Sequence, residues 1–407
     1  MVGAGFAGLS AARALQDRGV ATTVLDARFE PGGRVRSSRL PNGSVIELGG
    51  EWIMPGDAEI RTLCDRFGLA LAPTRTDYRR RTPAGPGAPS LAAFESAVAS
   101  AATRLATLDV GTVDAASIAD FLDGIDTDPG AVATLRMRLQ GTCAVDLARV
   151  PLASLEPGDL SLDRAEYLRC EEGNQSVAVA IADSLADVRL RHRVTRVRQE
   201  EGSVRVFAER ADGREVTVSG TAAVIAVPVT IVPEIAFEPP LPVGVSAALR
   251  ERPMGVAAKL AVAIEPGARP RSVQSARIPM WCWIAAGADG RTRPTLTSFC
   301  GSPAAVRALK VAGGDPTVWL ERLRELVPDV ALEGRARLQV WADEPFARGA
   351  YSALDAPGRD RLPLLQERWG SVAFAGEHVA DPDHVGTMEG ALRSGRHAAQ
   401  LLIELLV

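Results

Sequence analysis

Apolar positions along this 407-residue chain fall into short runs of two different periods. Residues 9–15 repeat at helical spacing, and Gly19 is placed to end that helix. The run Val20-Ala21-Thr22-Thr23-Val24-Leu25 follows, rich in β-branched residues and closed by Asp26, so it predicts a strand. Helical spacing returns in the alanine-rich residues 91–108, in residues 117–122 and in residues 177–185. A strand pair is predicted around His192-Arg193-Val194-Thr195-Arg196-Val197. The longest uncharged stretch, residues 216–233, reads as a buried strand with its exit, its apolar core Ala223-Val224-Ile225-Ala226-Val227 ending at Pro228. Residues 256–264 form a nearly continuous apolar run interrupted only by Lys259, again the pattern of a buried strand. A helix running to Leu406 closes the chain. Strands alternating with helices predict an α/β fold.

Composition narrows the picture. An apolar fraction of 46% supplies enough material for large cores, and the length suits two or three domains. Fifty acidic residues against 46 basic ones, with net charge −4, argue against a nucleic-acid partner. The closing run, residues 401–407, falls far short of the roughly 20 apolar residues that span a bilayer, so no membrane segment is expected. Five scattered cysteines with no Cys-x-x-Cys pair fit reduced thiols and a cytoplasmic location, and no metal-ligand cluster is expected among the four histidines. The N-terminus shows no signal-peptide pattern. Arg79-Arg80-Arg81, beside the Pro/Gly-rich residues 83–89, reads as a solvated loop. Lysine is the unusual count: among 46 basic residues only Lys259 and Lys310 are lysines, and only Lys259 sits in an apolar run.

Chemistry appears at the N-terminus. Gly3-Ala4-Gly5-Phe6-Ala7-Gly8 fits Gly-x-Gly-x-x-Gly and opens the first helix. Such glycines allow a tight turn and close backbone approach to a pyrophosphate, whose charge meets the helix N-terminus. Asp26, at the end of the following strand, stands near the spacing of a ribose-binding carboxylate. Only Met1 and Val2 precede the glycines, where a strand of about five residues is usual, so either the true start lies upstream or this strand is truncated.

Further motifs follow in order: Asp26-Ala27-Arg28, Pro31-Gly32-Gly33-Arg34, Glu47-Leu48-Gly49-Gly50-Glu51-Trp52, Trp341-Ala342-Asp343-Glu344-Pro345, Gly349-Ala350-Tyr351-Ser352, Phe374-Ala375-Gly376-Glu377-His378 and Gly386-Thr387-Met388-Glu389-Gly390. In these the chain resembles the flavin-dependent amine oxidases, the group of monoamine and polyamine oxidases. The resemblance implies a Rossmann-like FAD-binding domain of the GR2 type, made of residues 1–54, 171–233 and 364–407. A discontinuous α+β substrate-binding domain would comprise residues 55–170 and 234–363. FAD contacts are implied for Gly3, Gly5, Phe6, Ala7, Gly8, Asp26, Ala27, Arg28, Gly33, Arg34, Leu48, Gly49, Gly50, Glu51, Trp52, Val194, Trp341, Gly376, Glu377, Thr387 and Met388. Met388 would present its amide at a helix N-terminus to the flavin ring.

The reaction implied by the resemblance takes a hydride from the carbon beside a neutral amine to flavin N5. The imine is then hydrolysed, and oxygen reoxidises the flavin to give hydrogen peroxide. Lys259 matches the family's lysine, linked through water to N5. Tyr351 matches one wall of an aromatic cage whose second position is Thr387. Glu51, Tyr351, Thr387 and Trp283 are therefore candidate substrate residues. Trp281 and Trp283 read equally as core residues of a strand, and Glu51 as a partner of an arginine or of a substrate ammonium. Ala350 stands where some relatives carry a flavin-linking cysteine, which implies non-covalent FAD. A carbon–carbon desaturase on the same fold and a flavin-bearing scaffold without catalysis are the alternatives, and a homodimer is one possible assembly.

Overall fold

The structure is a computed structural model, and it describes all residues except 77, 156, 157, 164, 288, 355–360 and 407; the side chains of 404 and 406 are also outside it. Val407, the last residue of the closing apolar run, is thus outside the described residues.

The glycine turn sits at the top of a parallel sheet. In this sheet Val188–Arg189 pairs with Val24–Leu25, Val2 bridges Leu25 on one side and Ile225 on the other, and Ala223–Ile225 pairs with Val372–Phe374. Val2 is thus bonded on both sides. Val2 donates to Val224 O at 2.8 Å and accepts from Ala226 N at 2.8 Å, while Gly3 N reaches Leu25 O at 2.7 Å. The strand predicted over residues 20–25 contracts to Val24–Leu25, because only there do neighbouring carbonyls and amides complete a ladder. Helix Phe6–Gln16 packs its Ala7, Ala11 and Leu15 against Ala398, Ala399 and Leu402 of the closing helix Met388–Leu406, so both chain ends share one core.

The uncharged stretch 216–233 divides in two, which corrects its reading as a single buried strand. Glu215–Gly220 is an edge strand of a four-stranded sheet, half-buried to exposed, ordered Glu215–Gly220, Ser203–Arg210, His192–Glu200, Ala236–Glu238. Only Ala223–Ile225 is buried. Serine and threonine at alternating positions let the first part face water without charge.

The lysine run forms strand Ala257–Ile264, held inside a six-stranded sheet between Leu332–Val340 and Thr292–Gly301; beyond the latter come Met280–Ala286, Arg271–Ser275 and Thr82–Ala84. Ala258, Leu260, Val262 and Ile264 enter one core with Trp319 and Leu323. On the other face the strand presents Ala257, Lys259, Ala261 and Ala263, small residues that leave room for the one long side chain. The predicted helices appear as Leu91–Thr107, capped by Ser90, and Ile118–Asp123, opened by a capping box in which Ser117 and Asp120 exchange hydrogen bonds. With Pro129–Cys143 they bury Phe94, Phe121 and Leu135 in a separate cluster. Among the described residues no helix is long and apolar enough to cross a membrane. All five cysteines are free thiols, with Cys64 and Cys170 in contact at 3.6 Å.

Candidate active site

A cavity of about 350 Å³ runs from the top of the parallel sheet to the lysine-bearing face of the six-stranded sheet. Its two ends differ in chemistry.

The first end is built of backbone amides and paired charges. Gly3, Gly5, Phe6, Ala7, Gly33, Val194 and Gly376 border it. The helix that starts at Phe6 has no side-chain cap and no acid in its first turn, so its amides and the positive end of its dipole face the cavity. A methyl at Gly5 would meet nothing within 4 Å, whereas one at Gly8 would lie 2.0 Å from Gly3 O. Gly8 therefore serves the packing of the turn and does not border the cavity. Asp26 accepts Ala4 N at 2.6 Å on one carboxylate oxygen and Arg28 N at 2.7 Å on the other, with Ala27 between them on the wall. Burial pushes the Asp26 carboxyl above its ordinary range, against those two bonds. Arg28 donates to Gly33 O at 2.9 Å and faces Glu344 at 3.6 Å. Arg34 bonds Glu377 at 2.6 Å and Ala350 O at 2.9 Å. Burial alone would raise Glu377; the Arg34 charge, with bonds from Ser352, outweighs it and lowers the carboxyl to about 2. Next to it His378 is fully buried with both ring nitrogens unpartnered, and burial lowers its pKa to about 4.

The second end is aromatic. Trp281 and Trp283, two apart on Met280–Ala286, share a face and stack with centroids 4.2 Å apart. Trp52 lies 5.5 Å from Trp283 and 5.5 Å from Tyr78. Tyr351 closes the group, its hydroxyl donating to Thr142 O at 2.6 Å while burial raises its pKa well above the ordinary value. Trp52, Tyr78, Trp281, Trp283, Phe299 and Tyr351 all border the cavity. The two tryptophans are thus wall residues as well as core. Arg81, expected in a solvated loop, is only 2% exposed: it donates to Tyr78 O at 2.8 Å and lies 3.9 Å over the Trp281 ring, on which its planar cation stacks. Arg80 keeps the exposed position, paired with Glu95.

Between the ends lies the loop Gly49-Gly50-Glu51-Trp52. A methyl on Gly50 would strike Met388 at 2.9 Å, which explains the glycine there. Asn174 Nδ2 holds the loop through Glu51 O at 2.9 Å and Gly50 O at 3.2 Å. Leu48, predicted at the cofactor, points into a small core with Leu40, Ile46 and Ala261; its carbonyl instead accepts the Trp341 indole N–H at 2.9 Å, and Trp341 borders the cavity. Met388 starts the closing helix as predicted. Thr387 is on the wall, but its hydroxyl is engaged, donating to His384 O at 2.7 Å and accepting Gly390 N at 2.9 Å. Lys259 Nζ donates to Gly49 O at 2.9 Å and to Glu51 Oε2 at 2.6 Å. Sequence reasoning missed Tyr78, Thr142 and Phe299. Scarcity was the available signal for the first: the chain has three tyrosines, and two line this cavity.

The uncapped helix amides, the open space over Gly5, the carboxylate of Asp26 and the Arg34–Glu377 pair suit a dinucleotide with a pyrophosphate and hydroxylated linkers, so the residues present fit FAD. The family profile described as flavin containing amine oxidoreductase matches residues 6–403. The chain belongs to this family. It is an FAD-dependent oxidoreductase acting on amines, and neither a carbon–carbon desaturase nor a scaffold without catalysis is favoured. Among similar sequences are a nicotine dehydrogenase of Pseudomonas putida, 26% identical over 99% of this chain and 88% of that one, and a putrescine oxidase of Kocuria rosea, 28% identical over 98% and 93%. The fold matches a putrescine oxidase bound to putrescine with TM-score 0.81, at 21% identity over 99% and 98% of the two chains. It also matches a cyclohexylamine oxidase of Brevibacterium oxydans with TM-score 0.79, at 20% identity over 100% and 98%.

Proposed function

We propose that this enzyme oxidises a monoamine with an apolar body, non-covalently bound FAD taking a hydride from the carbon next to nitrogen and oxygen then reoxidising the flavin to give hydrogen peroxide. The observation that carries this is the charge balance of the cavity wall. Its arginines, Arg28, Arg34 and Arg193, are each ion-paired, to Glu344, Glu377 and Glu234. Its carboxylates, Asp26, Glu51, Glu234 and Glu377, each have a hydrogen-bond or ion-pair partner. At the aromatic end, among the described residues, Glu51 and Lys259 are paired with each other, so no charge there stands free to receive a substrate carboxylate or a second ammonium. The aromatic end offers ring faces and edges, which suit an apolar or aromatic substituent.

The roles follow the two ends. Gly3, Gly5 and the first helix amides receive the pyrophosphate, Asp26 the ribose, and Arg34 with Glu377 the linker; the Asp26 oxygens retain lone pairs beyond the two amides they already accept. Trp52, Trp283 and Tyr351 orient the amine and exclude water. Lys259 offers a remaining N–H to a water beside the reacting carbon. This division supports assigning residues 1–54, 171–233 and 364–407 to cofactor binding and residues 55–170 and 234–363 to substrate binding. The free thiols support a reducing, cytoplasmic setting.

A substrate panel tests the proposal. Arylalkyl or cycloalkyl monoamines should yield about one peroxide per amine consumed, with putrescine and α-amino acids at least ~100-fold poorer in kcat/KM, the scale on which unmet buried charges discriminate. Preference for the diamine or the amino acid would overturn the substrate class. Acid precipitation should release all the flavin; a yellow pellet would overturn non-covalent binding.

A further inference from the structure

We infer that Glu51 is a positioning residue: it holds the Lys259 ammonium at the cavity wall and is itself committed, so it does not receive the substrate's nitrogen. This rests on the proposed role of Lys259. Three buried side chains form a line of alternating charge. Arg169 approaches Glu51 Oε1 at 4.0 Å, and Glu51 Oε2 bonds Lys259 at 2.6 Å; their side chains are 8%, 5% and 7% exposed. Arg169 is tied at its other edge to Val45 O at 3.1 Å.

A lysine ammonium has three donors. Gly49 O and Glu51 Oε2 take two of them, and both acceptors come from the loop that Asn174 clamps. A flexible four-carbon stem is thereby fixed at its tip, and one N–H is left. Lys259 borders the cavity, with Nζ 5.8 Å from the centre of the Trp283 ring. Removing a cation from water is costly unless it is paired, so the lysine's place in an apolar strand depends on the carboxylate opposite. For the same reason, an approaching substrate ammonium meets a carboxylate already held between two cations and not a free anion. The two residues act as one unit, and Glu51 works through Lys259.

The test is a double-mutant cycle on the FAD-loaded enzyme: parent, Glu51→Gln, Lys259→Met and the double variant. Anaerobic flavin reduction by an amine should slow by at least ~10-fold in each single variant, the scale of a lost proton-handling group, with the apparent amine Kd little changed. The double variant should match Lys259→Met within about 2-fold, the resolution of additivity. The flavin midpoint potential, measured without substrate, should move in opposite directions in the two single variants. Glu51→Gln leaves a cation unbalanced and raises it, while Lys259→Met removes a cation and lowers it. The opposite signs show both charges acting on the flavin, and matching rates of the double variant and Lys259→Met show Glu51 acting through Lys259. Multiplicative losses in the double variant, shifts of the same sign, or a Glu51→Gln defect confined to amine Kd would overturn the inference. Should Glu51→Gln fail to fold, Lys259→Met against the double variant still decides: equal reduction rates support it and a further loss overturns it. The potentials also separate this inference from the amine assignment, because they are readable even if no amine reduces the parent enzyme.

Discussion

Glu47 shows what one buried group contributes to this site. It is 1% exposed, accepts Asn174 N at 2.8 Å and Ser37 Oγ at 2.8 Å, and so anchors the residue that clamps the Gly50-Glu51 loop. Burial, aided by the neighbouring Glu51 charge, pushes its carboxyl from an ordinary 4.5 to about 7. A carboxyl whose folded pKa is raised holds its proton in the folded state. Its stabilising contribution is complete below about 4.5 and is lost as pH rises through about 7. Glu47→Gln, which keeps the size and a carbonyl acceptor, should therefore melt like the parent near pH 5 and above it near pH 8, by a difference of roughly 3 kcal/mol. Equal melting curves at both pH values would contradict the assignment. At this scale the sequence was legible where a residue type was rare. Lys259 stood out because arginine fills almost every other basic position. Trp281 and Trp283 stayed open between wall and core, since both faces of their strand are buried and burial alone does not say which face meets a cavity. Arg81 was misread because its burial depends on the Trp281 ring, a contact made 200 residues away in sequence.

Elements were legible wherever local rules fixed them. Helical spacing over residues 117–122 matches Ile118–Asp123, and the apolar run 256–264 matches strand Ala257–Ile264, though the run alone does not say which face its lysine takes. The first strand was harder, because its two residues are completed by Leu25 and Val224 from distant segments. The glycine turn that follows divides its labour. At Gly5, with φ −77° and open space beyond, a methyl is compatible with the fold but intrudes on the cavity. At Gly8 it collides with backbone. Gly5→Ala should leave the melting temperature of the FAD-free protein unchanged and weaken FAD binding in a fluorescence titration. Gly8→Ala should destabilise the FAD-free protein by about 1–3 kcal/mol, the usual cost of overpacking. The reverse pattern would contradict this reading of the turn.

At the scale of the molecule, a parallel sheet presenting helix amides and an antiparallel-rich sheet presenting a lysine and aromatic rings meet at one cavity. Motif order along the chain foretold the first half, because dinucleotide binding needs glycines and acids at fixed local spacings. The aromatic half is assembled from Trp52, Tyr78, Trp281 and Tyr351, which no local spacing relates, and only the fold brings them together. On this reading the cavity joins FAD to an apolar amine. Anaerobic titration of the purified yellow protein with one hydrophobic monoamine tests it most directly, read as loss of flavin absorption. Complete bleaching is expected at about one amine per flavin, since each substrate delivers one hydride. Flavin that stays oxidised in excess monoamine, yet is fully bleached by dithionite, would contradict it.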